Sequence, residues 1–210
     1  VTDKEAFYTM LCHLLLILLF RTGKRVSMLV SLRLQDVWNA KECTREENGM
    51  KAHTIKVTTN IKGVPFKTKD VGIFSVPESF YWCLHNAMCL RIDHHGAFDD
   101  EPFFQTKTHL GITDPTKLLQ HAWDDVKMKG KVHARDVRHL LATEGTEKLS
   151  PTDREMLASG MEHSMRIQQK VYAHHDENTS LRCMHLMNQL LGTNLSKTPE
   201  EIEQDQMEDV

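Results

Sequence analysis

Three tyrosines are few for a chain of 210 residues, so the place of each is informative. Cysteine is also scarce. Cys12, Cys43, Cys83, Cys89 and Cys183 are odd in number and scattered, which excludes a disulfide framework and fits reduced thiols in an intracellular protein. The apolar run "LCHLLLILLF" (Leu11 to Phe20) falls short of the roughly 20 residues a bilayer span requires. It contains His13, abuts Arg21 and reads as a buried helix, with no membrane partner. Nothing resembles a signal peptide. The first residue is Val1 rather than Met, so the chain reads as a fragment or a processed product. "CLHNAMC", "DHH" and "AHH" look like pieces of metal sites, but none has a second half at zinc spacing, so they are read as structural or surface residues. No internal repeat is present.

The charge balance, 26 basic against 29 acidic residues, gives a net −3 that disfavours a nucleic-acid partner at first sight. Its distribution says more. Lys197 to Val210 holds six acids and one lysine and has the composition of a disordered tail. The remainder carries 25 basic and 23 acidic residues, a net +2, together with 13 histidines in the chain. That is compatible with a local basic cleft. With 40 % hydrophobic residues, one domain is expected over 1–195, followed by the acidic tail 196–210.

The expected fold is mainly α with a small antiparallel β-sheet (α+β). Asp3 to Phe20 has the apolar density of a core helix, "RTGK" breaks it, and "VSMLVSL" begins another. Between Glu42 and Pro77 the β-branched stretches "HTIKVTT" and "DVGIFSVP" predict a small sheet or hairpin. Helices follow over Pro77 to Ile92, from the Asp114 cap with Pro115 at the first position, over Ala134 to Gly145 with the glycine as its stop, and from the Ser150 cap. A final amphipathic helix covers Asn178 to Gly192.

Three separated stretches share a basic pattern. "TGKRVSMLVSLRLQDV" puts Arg25 just after a tight turn; "ARDVRHLLATEG" sets Arg135 and Arg138 three apart on a helix; "SGMEHSMRIQQKVYAHHD" places Tyr172 nine residues after His163. With "EPFF" (Glu101 to Phe104) before the next helix, the order resembles the catalytic domain of the tyrosine recombinase (phage-integrase-like) superfamily over roughly Glu5 to Tyr172. The resemblance implies an integrase-like DNA breaking and rejoining core, with the family's N-terminal DNA-clamping domain absent from this chain. It implies a site-specific recombinase acting through a covalent 3′-phosphotyrosyl intermediate, possessed by mobile elements for DNA integration and recombination. Double-stranded DNA is the implied partner, in a tetramer, with the last helix docking on a neighbouring protomer. No metal or nucleotide cofactor is implied. The location is wherever DNA lies: the nucleus of a eukaryote, or the cytoplasm for a prokaryotic or viral protein. Type IB topoisomerases share this chemistry, but the short "TGKR" and "MEHS" boxes look more like the integrase branch.

The residue types suit that reaction. A phenol has an ordinary pKa of about 10 and needs cations around the phosphate to favour its phenolate. Arginine's planar fork meets two phosphate oxygens and stays charged. The resemblance assigns Arg25, Arg135 and Arg138 to the phosphate, His163 to a non-bridging oxygen and Tyr172 to attack. A sheet lysine would protonate the leaving 5′-oxygen. Lys62 is favoured for that role, with Lys67 and Lys69 as alternatives. Nine residues of unbroken helix span about 13.5 Å, so a break is expected near Ser164 to let His163 and Tyr172 share one phosphate.

Three positions depart from the family pattern. Arg135 stands where the family commonly has a histidine, and it cannot act as a base at neutral pH; His133, two residues earlier, would face elsewhere on the helix. Glu162 replaces a glycine beside the site. Met28 stands where an acid usually supports the arginines. These keep open an alternative, a domesticated DNA-binding or protein-interaction module that retained the fold and weakened the reaction.

Overall fold

The computed structural model describes residues 4–44, 51–58, 72–95, 100–107, 112, 114–161 and 177–192. It is mainly helical with a three-stranded antiparallel sheet. The central element is α1 (Lys4–Thr22), apolar nearly all round, as befits a helix covered on several sides. Among the described residues it is the one helix long and apolar enough to cross a membrane by length and composition. Here Leu11, Leu14, Leu15, Leu18 and Leu19 lie in the core, under α5 (Pro115–Asp125), α6 (Ala134–Lys148) and α8 (Glu177–Leu190).

The end of α1 is fixed by its sequence. Gly23 takes φ +57° and donates its N–H to the Leu19 carbonyl at 2.9 Å, the left-handed stop that glycine adopts without strain. The Thr22 hydroxyl donates to Leu18 O at 2.7 Å and accepts from Lys24 N at 3.3 Å, which ties down the turn. Two short helices follow, α2 (Val26–Leu29) and α3 (Leu34–Trp38).

Strands β1 (Lys41–Thr44), β2 (Lys51–Val57) and β3 (Gly72–Pro77) pair in that order, Glu42 opposite His53 and Thr54 opposite Ser75. Alternation along β2 sends neighbouring side chains to opposite faces. His53 stacks on Tyr81 of α4 (Glu78–His95), with ring centroids 3.7 Å apart. Thr54 meets the Ser75 hydroxyl at 2.8 Å, and Ser75 in turn donates to the Ser180 hydroxyl of α8 at 2.8 Å. The sheet is therefore held between α4 and α8.

The "EPFF" segment is pinned to the chain between α2 and α3. Leu34 N donates to Glu101 O at 3.1 Å and Phe103 N to Leu32 O at 2.7 Å. From α4, the fully buried Arg91 donates to Glu101 Oε2 at 2.9 Å, to Phe103 O at 3.1 Å and to Pro102 O. Burial alone would disfavour this guanidinium, and the Glu101 carboxylate offsets that in part.

The Asp114 cap with Pro115 behind it opens α5, and Ser150 with Pro151 opens α7 (Pro151–Gly160), as their sequences predict. Two expectations need correction. Gly145 does not stop its helix, because α6 continues to Lys148. It is instead a buried contact point, where an added Cβ would come within 2.6 Å of Leu157 Cδ2 on α7. His133 is not on the helix at all; it is the residue before its first turn, exposed, with extended backbone.

Candidate functional site

Arg25 sits at the N-terminus of α2, in extended conformation, and its carbonyl accepts from Met28 N at 2.9 Å and Leu29 N at 3.1 Å. Its side chain is exposed. Nothing about this position is left to chance, since the Gly23 stop and the Thr22 clasp fix where α2 begins. Gly23 is also packed hard. A Cβ there would lie 2.7 Å from Met161 Cγ and 2.7 Å from Met187 Cε.

Arg135 and Arg138 lie in the first two turns of α6. Arg135 is exposed, whereas Arg138 is half-buried and turned toward the end of α7, where its Nη2 donates to the Met161 carbonyl at 2.7 Å. Met161 itself is fully buried and closes α7, its N–H bonded to Leu157 O at 2.9 Å. Two of the sequence boxes, the Gly23 turn and the α6 arginines, thus meet at the residue that opens the third, "MEHS".

The approach of α7 to its neighbours rests on small residues. Gly145 lets α6 close on Leu157, and Gly160 lies directly against Cys183 of α8. Cys183 is buried and its thiol is pushed up to about 11 by desolvation, with the nearby Lys24 ammonium acting the other way. Lys24 is buried beside Arg25 and lines, with Thr22, Ser75, Ser180 and Cys183, a small crevice between α1, β3 and α8. This set was not legible from the sequence, where "RTGK" reads only as the break between two helices.

Met28 is buried, with its Cγ and Sδ 2.8 Å from where a Gly72 Cβ would stand. The position seats α2 on the first residue of β3 and supplies no acid to the arginines. The helix read as a contact for a neighbouring protomer uses its apolar face within its own chain. Leu181, Cys183, Met184, Leu186, Met187 and Leu190 of α8 are buried against β3, α7 and α1.

Lys62, with its alternatives Lys67 and Lys69, and His163, Glu162, Ser164 and Tyr172 lie outside the described residues. Among the described residues no group of three or more histidines, cysteines or carboxylates is placed to hold a metal ion. Comparison of the chain with known family patterns, with curated proteins and with solved structures gave no match.

Proposed function

We propose that the chain is the catalytic domain of a tyrosine-recombinase-type enzyme, with an integrase-like core, that cuts and rejoins double-stranded DNA. The observation that carries the reading is the meeting at Met161 of the turn before Arg25 and the guanidinium of Arg138. His163 follows Met161 by two residues, a chain distance of at most about 7 Å between Cα atoms. The order of boxes in the sequence is thereby matched by proximity of the first two to the start of the third.

In this reading Arg25 and Arg138, with Arg135, bind the non-bridging oxygens of one phosphodiester, and His163 donates to the same group. The phenolate oxygen of Tyr172 attacks phosphorus. The bond to the 5′-oxygen breaks, and that oxygen takes a proton from the sheet lysine, Lys62. The phosphotyrosyl bond retains the energy of the broken linkage, so a 5′-hydroxyl can reverse the step on the same or another strand. Recombination requires a tetramer on DNA, and the protein would act wherever that DNA resides.

A second reading has a specific observation in its favour. Met28 is a packing residue where the resemblance calls for an acid, and Glu162 adds negative charge beside the site, so a DNA-binding module without the reaction is also consistent. A suicide duplex nicked next to the cleavage site separates the two. The enzyme reading expects a covalent protein–DNA adduct that is abolished by Tyr172→Phe. Binding of the duplex with no adduct would leave the module, and an adduct that survives Tyr172→Phe would remove the assigned nucleophile.

A further inference from the structure

We infer that residues 126–133, with Arg135 behind them, form a preordered seat for the phosphate backbone of duplex DNA. This rests on the reading above for the identity of the polyanion. The seat is the loop between α5 and α6. The chain there runs "VKMKGKVHAR" (Val126 to Arg135), with four permanent cations, one histidine and no acid, in a protein of net −3. Lys127, Lys129, Lys131, His133 and Arg135 are all exposed. The three lysines and Arg135 make no ion pair among the described residues. Of the acids that flank the stretch, Asp124 accepts from Gln120 Nε2 at 2.7 Å and Asp125 holds His13 Nε2 at 3.0 Å, with Asp136 as the third.

A merely solvated charge run needs no fixed backbone, and this one has it. α5 closes in the two-bond pattern of a helix stop: Lys127 N donates to Asp124 O at 2.9 Å and Met128 N to Trp123 O at 3.1 Å. The residue that makes the stop is Lys127, at φ +57°, a conformation that glycine takes without strain and lysine does not. Its side chain is exposed, so no packing offsets the strain; what it adds is an ammonium. A cation at a helix C-terminus is itself favourable, which accounts for Lys127 but not for Lys129 or Lys131. The rest of the loop is fastened from α5. Trp123 Nε1 donates to Lys129 O at 3.3 Å, Gln120 Nε2 to Gly130 O at 3.2 Å, and Gln120 Oε1 accepts from Val132 N at 3.1 Å. Val132 is buried, and α6 begins two residues later. The backbone is thus ordered before any ligand arrives, while the cations stay in water. Binding then has only side chains to order, which suits a stiff polyanion of regular charge such as a duplex. Val126 and Met128 are exposed beside the lysines, a pairing that an anionic bilayer would also accept. Trp123 decides against the bilayer: the aromatic that a membrane interface favours is packed on the core, its N–H held by the loop.

The test uses the full chain, a loop variant with K127Q, K129Q and K131Q, and a control with the same charge change at exposed lysines elsewhere, K4Q, K51Q and K148Q. Binding of a fluorescent duplex is titrated from about 50 to 300 mM salt. Each lysine on a phosphate should contribute about 1 to the slope of log affinity against log salt. The loop variant should therefore lose about 3 from the slope, and the control none. Lys127→Gly removes the strain and one ammonium together, so it should unfold at a higher temperature than the parent and lose about 1 from the slope. An unchanged slope in the loop variant overturns the inference. So does an equal loss in the loop and control variants, which would be an effect of net charge. Binding to phosphatidylserine vesicles that exceeds duplex binding and is lost in the loop variant also overturns it. Adduct formation on the nicked duplex keeps the two readings apart. An adduct with the parent, together with a full slope in the loop variant, removes the seat and leaves the cutting. Loop-dependent binding without an adduct keeps the seat and removes the cutting, and a parent that binds no duplex loses both.

Discussion

The Arg138 guanidinium donates to the carbonyl oxygen of Met161 at 2.7 Å, joining the second turn of α6 to the end of α7. The same Met161 fills the space beside Gly23 on its other side. One buried methionine thus sets the separation of the two arginine-bearing elements. On the proposed function this contact bears on both rate and stability, and the two can be measured apart.

Arg138→Ala removes a charge-assisted donor from a partly buried carbonyl, which should cost about 1–3 kcal/mol of stability. On the proposed function, the rate of adduct formation on a nicked duplex should fall by about 10²–10³, the effect of losing one preorganised donor to a developing anion. Arg138→Lys should recover much of the stability and little of the rate, because an ammonium cannot fork across two oxygens. Urea midpoints read the first quantity and adduct kinetics the second. A lysine variant as fast as the parent would remove Arg138 from the phosphate.

Gly23→Ala meets two independent obstacles. The backbone at φ +57° disfavours a Cβ, and that Cβ would overlap Met161 and Met187. Together these should destabilise by about 2–4 kcal/mol. Trimming one obstacle, with Met187→Ala in the same chain, should not restore the parent's stability, since the backbone strain and the Met161 contact persist. Chemical unfolding of the parent and the two variants checks this. A neutral Gly23→Ala would mean that the turn does not hold this conformation in solution.

Gly145→Ala sets two effects against each other. In a helix interior alanine is better than glycine by about 1 kcal/mol. Here the new methyl would stand 2.6 Å from Leu157 Cδ2, and overpacking of that kind costs about 1–3 kcal/mol. Packing should win, so thermal unfolding of Gly145→Ala should come below the parent. In a Leu157→Ala background, where the space is open, the same substitution should become stabilising. Stabilisation in both backgrounds would mean that α6 and α7 are further apart than described.

Local signals in the sequence carried the elements well. The Asp114–Pro115 and Ser150–Pro151 starts are short-range capping chemistry, and both are found where the letters put them. The sheet follows from β-branched runs for the same reason. Gly145 misled because a helix stop and a helix-packing notch use the same residue, and only the partner, Leu157, distinguishes them. Arg91 was invisible for a related reason. Its value lies in carbonyls of Pro102 and Phe103 that the fold brings to it, and backbone acceptors leave no trace in the letters. For the site, the placement of Arg25 after a glycine turn was legible, since Gly23 acts through its own backbone. The role of Met161 was not, because a methionine that joins two distant segments looks like any other apolar residue.

His53 gives a pH dependence whose sign can be worked out. Its ring is buried between the sheet and α4, stacked on Tyr81 at 3.7 Å with Trp82 edge-on at 6.4 Å. Neither ring nitrogen has a hydrogen-bond partner among the described residues. Burial lowers its pKa from the ordinary 6.5; the Glu42 and Glu78 carboxylates push it back up, while His85 and Lys51 add to the lowering. A histidine whose folded pKa is depressed is protonated first in the unfolded chain. Above pH 6.5 it is neutral in both states and has no effect on stability. As the pH falls below 6.5 the unfolded state gains the proton and the fold weakens, until the folded pKa is passed. His53→Phe keeps an aromatic ring on Tyr81 and removes the titration. Urea midpoints of the two proteins, compared from pH 7.5 to 5.0, should therefore diverge below pH 6.5, the parent losing more stability than the variant. Other histidines cancel in that comparison, so parallel curves would show that the His53 ring reaches water or a donor in solution.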